Sequence, residues 1–210
     1  MDNIFIGICN SQDYLPSDFF WSFINIRHKG PIQIFRSRHP WDVSRNNLII
    51  DKFLKSDCTI LAKMDVDQQY PSNYFERLIP LVQQYKVAGG MVYDRWEQNK
   101  YMALAFDSVK GMELHKMNLQ NFNGVIEIPY PHTNLLYHRE VLSKISPPWY
   151  EAHLDPTGLE RANHVDFTFI EKIHQAGFRV MIDLDCEVKH MMTKFVGKAD
   201  ADNARNKNIL

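Results

Sequence analysis

Short, fully apolar runs alternate with segments whose apolar residues recur at helical spacing, and this alternation limits the fold more than any other feature of the chain. Ile4-Phe5-Ile6-Gly7-Ile8-Cys9, closing on the turn formers Asn10-Ser11, reads as a buried strand. Residues 16–26 (PSDFFWSFINI) have helical spacing, with Pro and Ser where a helix start accepts them. Ile32-Gln33-Ile34-Phe35 is a second strand, and residues 43–55 form a helix with Leu48, Ile49, Phe53 and Leu54 on one side. Residues 58–64 are a third strand that runs straight into Asp65-Val66-Asp67. An amphipathic helix follows over residues 71–85 with a first-turn proline, then a strand over 86–93 that contains Gly89-Gly90. Leu135-Leu136-Tyr137 and residues 179–182 are strands, and residues 166–175 a helix closed by Gly177. Strands alternating with helices predict an α/β layer fold, with a mostly parallel central sheet flanked by helices. Ligands of such sheets sit beyond the carboxyl ends of the strands. That rule puts Asn10, Asp65 and Asp67 on one rim.

The 210 residues suit one domain with an ample core, expected over 1–192, and a polar tail or flap over 193–210 (TKFVGKADADNARNKNIL). With 24 Lys plus Arg against 25 Asp plus Glu, the net charge is -1. No global basic field exists to hold nucleic acid by charge alone. Cys9, Cys58 and Cys186 are an odd, widely spaced set, read as reduced thiols and neither a disulfide framework nor a zinc site. The first residues, MDNIFIGICNSQDY, lack the basic start and small-residue cleavage site of a signal peptide. No apolar run reaches the roughly 20 residues of a membrane span. The expected location is the cytoplasm.

Asp65-Val66-Asp67 is the sharpest local signal. Side chains alternate along an extended chain, so two carboxylates one residue apart point the same way. Facing an open rim they repel, and a divalent cation relieves that cost; hard oxygen ligands suit magnesium or manganese. A solvated turn is the plainer reading of the same three residues.

The surroundings favour the metal. Met64-Asp65-Val66-Asp67-Gln68-Gln69-Tyr70-Pro71, with the helix after it, resembles the strand–DxD–helix unit of GT-A fold glycosyltransferases, of a family-2-like, compact bacterial or viral type. Other segments match in the same order: Ser44-Arg45-Asn46 opening the preceding helix, Gly89-Gly90 in the next strand, and Thr133-Asn134-Leu135-Leu136-Tyr137-His138-Arg139-Glu140-Val141-Leu142. After these come Trp149-Tyr150, Asn163-His164-Val165-Asp166-Phe167, Ala176-Gly177-Phe178-Arg179-Val180, and a run from Asp183 ending in His190. The resemblance implies a metal-dependent transfer of a sugar from a nucleotide-sugar donor, a UDP-sugar by preference, to an acceptor hydroxyl. That acceptor is open between a glycan, a small molecule and a modified nucleic-acid base. The implied cofactor is Mn²⁺ or Mg²⁺, a Lewis acid on the leaving diphosphate. Asp67 is implied as direct ligand, Asp65 as ligand or ribose contact, and His190 as third ligand. Asn10, Arg38, Arg45, Asn46, Asp65 and Gly90 are implied on the nucleotide-sugar, and Trp149 and Tyr150 on the acceptor. Lys194 and Lys198 are candidates to close over the diphosphate.

One departure bears on the chemistry. Where the family has a Glu-Asp pair on the acceptor side, this chain has Asn163-His164. His164 can serve as general base, and so can Asp166 two residues on; a retaining enzyme needs neither. Glu160 and Asp155 stand next in line. Two rival readings remain at this level. A nucleotidyltransferase also uses acidic pairs with a metal, but residues 7–11 (GICNS) supply no phosphate-cradling glycine loop. A non-catalytic nucleotide- or sugar-binding module would keep the fold and lack the base.

Overall fold

A computed structural model describes residues 2–93 and 103–191. The elements, in chain order, are β1 (Ile4–Cys9), α1 (Ser17–Ile24), β2 (Ile32–Ser37), α2 (Asp42–Leu54), β3 (Ile60–Asp65), β4 (Gln68–Gln69), α3 (Tyr74–Tyr85) and β5 (Val87–Val92). They continue with β6 (Ala105–Lys110), β7 (Glu113–Lys116), β8 (Val125–Glu127), β9 (Tyr130–Pro131), β10 (Leu135–His138), α4 (Arg139–Lys144), α5 (Val165–Gln175) and β11 (Met181–His190). The expected tail over 193–210, with Lys194 and Lys198, lies outside the described residues.

Among the described residues the central sheet has the order β2-β1-β3-β10-β5-β11-β4, with β8 also on β11. The strands β2, β1, β3, β5 and β11 all run one way, and β10 runs against them between β3 and β5. The expected α/β architecture with a mostly parallel sheet is therefore present. A separate three-stranded sheet, β7-β6-β9, was not foreseen.

Apolar runs become the buried strands: Ile4, Ile6, Ile60 and Ala62 are each at most 1% exposed. Ile49, Ile50 and Phe53, at helical spacing, make the face of α2 that covers them. The helix lies so close that a Cβ on Gly7 would meet Ile49 Cγ2 at 2.3 Å. Only glycine fits at that crossing.

Three differences from expectation have physical reasons. Pro71 does not start α3; its carbonyl accepts the Tyr74 N–H and the helix begins there. The last strand is ten residues long, not four, because a bulge between Asp183 and Glu187 lets β11 resume its pairing with β5. Gln68 and Gln69 pair with His190 and Lys189, which brings the far end of β11 back to the turn after β3.

Candidate active site

A cleft of about 480 Å³ opens at the carboxyl ends of β1 and β3, lined among others by Asn10, Tyr14, Arg45, Asp65, Asp67 and Met191. The three residues expected to share a rim do share it. Asn10 is a wall: its Oδ1 accepts the Gln12 N–H at 2.8 Å and its Nδ2 donates to the Tyr14 carbonyl at 2.8 Å. Arg45, from the first turns of α2, donates to the His39 carbonyl at 3.3 Å through Nη1 and reaches the same lining.

The Asp65–Asp67 turn is held from behind by residues that sequence reasoning did not single out. The Tyr70 hydroxyl accepts the Asp65 N–H at 3.0 Å and Asn134 Nδ2 at 3.0 Å, and donates toward Gln68 Oε1 at 3.2 Å. Burial pushes the Tyr70 phenol well above its ordinary pKa, so it stays a neutral hydrogen-bonding hub. Asn134 also donates to Gln68 Oε1 at 2.8 Å. The Met191 N–H donates to the Asp67 carbonyl at 2.8 Å, and His190 Nε2 lies 3.4 Å from Asp67 Oδ2. Residues 123 apart in sequence thus meet at the cleft.

Whether this group suits a divalent cation turns on His190 and on donor chemistry. His190 Nδ1 is buried and has no hydrogen-bond partner among the described residues, and 3.4 Å is long for a bond from its other nitrogen. A carboxylate and an imidazole in contact, with a second carboxylate two residues away, form a donor set that manganese or magnesium accepts. Among the described residues no three His, Cys, Asp or Glu side chains converge as a closed cage. That is compatible with an ion that takes one or two protein ligands and fills its remaining positions with substrate phosphates and water.

On the other side of β3 the rim carries a second polar group. Lys63, two residues before Asp65 on the same strand face, sends Nζ to 3.4 Å from Asp166 Oδ1 at the start of α5, and lies 5.2 Å from the Tyr150 ring. His132 Nε2 is 3.6 Å from Asp166 Oδ2. Burial alone would raise the Asp166 pKa, but Lys63 first and His132 second hold it well below the carboxylate range. His132 is raised above 6.5: burial pulls it down, and Asp166 more than offsets that. Cys9, whose Sγ donates to Asn46 Oδ1 at 3.1 Å, has its thiol pushed far up by burial and by Asp65, which favours the protonated form.

The other sequence candidates fall in less direct places. Asn46 is 7% exposed behind the cleft, where it accepts from Cys9. Arg38 pairs with Asp13 and is absent from the cleft lining. His164 occupies the N-cap position of α5 without a capping side-chain bond, its ring packed edge-on to Phe167 at 5.5 Å.

Two expectations are corrected. Trp149 and Tyr150, expected against an acceptor, are 7% and 2% exposed. Asn47 Oδ1 accepts both of their N–H groups and Trp149 Nε1 donates to the Leu142 carbonyl, so their rings are core. Gly90, expected on the nucleotide-sugar, is buried in β5, where a Cβ would meet the Cys186 carbonyl at 2.5 Å; it serves strand packing.

The Asn163 that replaces an acid also has a structural job. Its Nδ2 donates to the Glu151 carbonyl at 3.0 Å while its Oδ1 accepts the His153 N–H at 2.6 Å, a pairing a carboxylate cannot make. Asp155 is used likewise, accepting from Thr157, Leu159 and Glu160 within one loop.

Comparison with known proteins gives the fold. No family model matches the sequence, and no curated protein matches it. Solved structures do match. A197 from STIV has a TM-score of 0.56 at 14% identity, over 94% of this chain and 97% of that one. GalNAc-T7 with UDP, GalNAc and Mn²⁺ gives 0.58 at 13% identity over 92% of this chain, and S. aureus TarS 1-349 with UDP-GlcNAc gives 0.54 at 8% over 93%. This chain spans 43% of that GalNAc-T7 chain and 60% of that TarS chain. GalNAc-T7 and TarS are GT-A glycosyltransferases. The strand order, the rim and these likenesses agree, and the chain has the GT-A glycosyltransferase fold.

Proposed function

We propose that the protein is a metal-dependent glycosyltransferase that moves a sugar from a UDP-sugar to an acceptor hydroxyl. The observation that carries this reading is the meeting of Asp67 and His190 at a cleft also lined by Asn10, Arg45 and Asp65. UDP with Mn²⁺, and UDP-GlcNAc, are what two proteins of the same fold hold.

In this reading Asp67 and His190 hold the cation, with Asp65 reaching either it or the ribose. Bound there, Mn²⁺ or Mg²⁺ supplies Lewis-acid stabilisation of the diphosphate as it leaves. Arg45 adds a fixed positive charge on the same wall, available to phosphate oxygens. Tyr70, Gln68 and Asn134 keep the carboxylate turn in one geometry, so little reorganisation is needed as charge develops. Asp166 and His132 form the acceptor-side pole, across β3 from the cleft.

Calorimetry of UDP with and without Mn²⁺, followed by manganese-dependent hydrolysis of UDP-sugars, tests the assignment. Tight binding only with the metal, and release of free sugar, is the expected result. Binding without hydrolysis or transfer would favour a non-catalytic binding module. Equal binding with and without metal would remove the reading.

A further inference from the structure

His132 was not singled out in the sequence, yet the fold brings it to the reaction rim. Because β10 runs antiparallel to β3, with Leu136 opposite Ala62, the segment that enters β10 arrives where β3 ends in Asp65. There one carboxylate joins a lysine and a histidine: Asp166 Oδ1 faces Lys63 Nζ at 3.4 Å and Oδ2 faces His132 Nε2 at 3.6 Å. The Lys63 side chain is 11% exposed, whereas that of His132 is 52% exposed. The imidazole is the member of the trio that solvent, or an acceptor, can reach. Its place is fixed by the main-chain N–H, which donates to the Leu104 carbonyl at 2.8 Å, and by the Phe167 ring at 5.7 Å.

These contacts divide the labour. With one oxygen facing the Lys63 ammonium and the other the His132 ring nitrogen, Asp166 is a poor proton acceptor at neutral pH. A base is most useful when its pKa lies near the working pH, which favours the imidazole. We propose that His132, oriented by Asp166, is the general base that takes the acceptor's hydroxyl proton; this rests on the sugar-transfer reading above. In the step, the acceptor oxygen bonds to the anomeric carbon and the bond from that carbon to the β-phosphate oxygen breaks. Its electron pair leaves with the nucleoside diphosphate. The proton passes to Nδ1 of His132, since Nε2 is turned to Asp166, and later returns to solvent. Lys63 is the counter-charge that keeps Asp166 ionised, and Asp166 is a positioning residue that stabilises the imidazolium once it forms.

The groups facing His132 are Asp166 from α5 and Lys63 and Asp65 from β3. Asp166 and Asp65 favour the protonated ring; burial and Lys63 oppose it. The base must be neutral to act, so activity rises with pH through the His132 pKa, above 6.5. The assay is manganese-dependent hydrolysis of UDP-glucose, UDP-galactose and UDP-GlcNAc, with water in the acceptor's place. His132→Gln should lower hydrolysis by about 100-fold or more and remove the acid limb, with UDP–Mn²⁺ affinity unchanged. NMR titration of the His132 ring tests the pairing without any substrate. Asp166→Asn should lower its pKa, since only Asp65 is then left to oppose burial and Lys63, and Lys63→Met, a second variant should the first not fold, should raise it. Full hydrolysis in His132→Gln, or a pKa indifferent to both neighbours, overturns the proposal while leaving the transfer reading intact. A wild type that binds no UDP with Mn²⁺ and hydrolyses none of the three donors overturns both.

Discussion

The two sides of the rim are assembled differently. On the proposed donor side, Asn10, Arg45, Asp65 and Asp67 all come from the run β1–α2–β3, where parallel strands succeed one another through intervening helices. On the proposed acceptor side, Lys63, His132 and Asp166 come from β3, the entry to β10 and the start of α5, and β10 is inserted against the direction of its neighbours. A local motif displays the first group. Non-local strand pairing creates the second, so its geometry depends on contacts that tie the later elements onto the earlier ones. Three such ties stand out: Arg77 with Asp183, Arg139 with the end of α2, and His190 with Asp67.

The largest expected effect lies wholly on the donor side. Asp67→Ala should lower metal-dependent UDP binding and hydrolysis by about 1,000-fold, the scale of several kcal/mol of Lewis-acid stabilisation. It removes a cleft-lining carboxylate and no core packing, so the unfolding free energy in urea should stay within about 0.5 kcal/mol of wild type. A mutant that keeps its manganese-dependent UDP binding would break the distinction between the two sides at its strongest point.

Next come the ties between the two regions. Asp183, 2% exposed on β11, is gripped by Arg77 of α3 through two bonds of 2.7 and 2.8 Å. Arg77→Ala leaves that carboxylate buried without its cation. The expected loss is about 3 kcal/mol, at the low end for a buried pair because the guanidinium is a third exposed. Adding Asp183→Asn should recover part of it in urea unfolding. Arg139 of α4 donates to the carbonyls of Phe53, Leu54, Ser56 and Cys58 at 2.7 to 3.0 Å, with its guanidinium over the Phe53 ring. Arg139→Ala should cost about 2 kcal/mol, and Arg139→Lys should restore little, because a single ammonium cannot span four acceptors. Unchanged unfolding in either alanine variant would show that the later strands hold their place without these ties.

The same contrast explains what could be read from the sequence. Apolar runs closed by Asn10 and by Asp65, and helices with a clear apolar stripe, are local signals, and the donor side follows from them. Leu135-Leu136-Tyr137 is legible as a strand, but three apolar residues carry no information about direction. Had its reversal been known, His132 would have been placed at the rim beside Asp65. Lys63 was hidden inside an apolar run, where a lone charged residue signals a buried partner that only the fold identifies. The alternation in β6 (AFDSVK) is too weak to announce a second sheet, and the bulge in β11 breaks its period in the middle. Trp149 and Tyr150 looked like an acceptor platform for want of one fact, that Asn47, some 100 residues earlier, holds their backbone inside the core.

The smallest predicted effect is the one that decides whether the two regions share a single ion. Among the described residues, His190 is the imidazole that the later region brings to the proposed metal pole, and it arrives through β-pairing with Gln68 and a main-chain bond from Met191 to Asp67. Those contacts use backbone atoms, so His190→Ala should leave the turn and the unfolding curve nearly unchanged. The imidazole itself should be worth about tenfold in manganese affinity in the presence of UDP, the low end of the range for groups that support a metal site. A double-mutant cycle sharpens the measurement. If Asp67 and His190 ligate one cation, the loss in the double alanine variant should fall well short of the sum of the single losses, since the second ligand has little left to hold once the first is gone. Strictly additive losses would mean that the two side chains act on separate events, leaving the donor side to build its metal site from β3 alone.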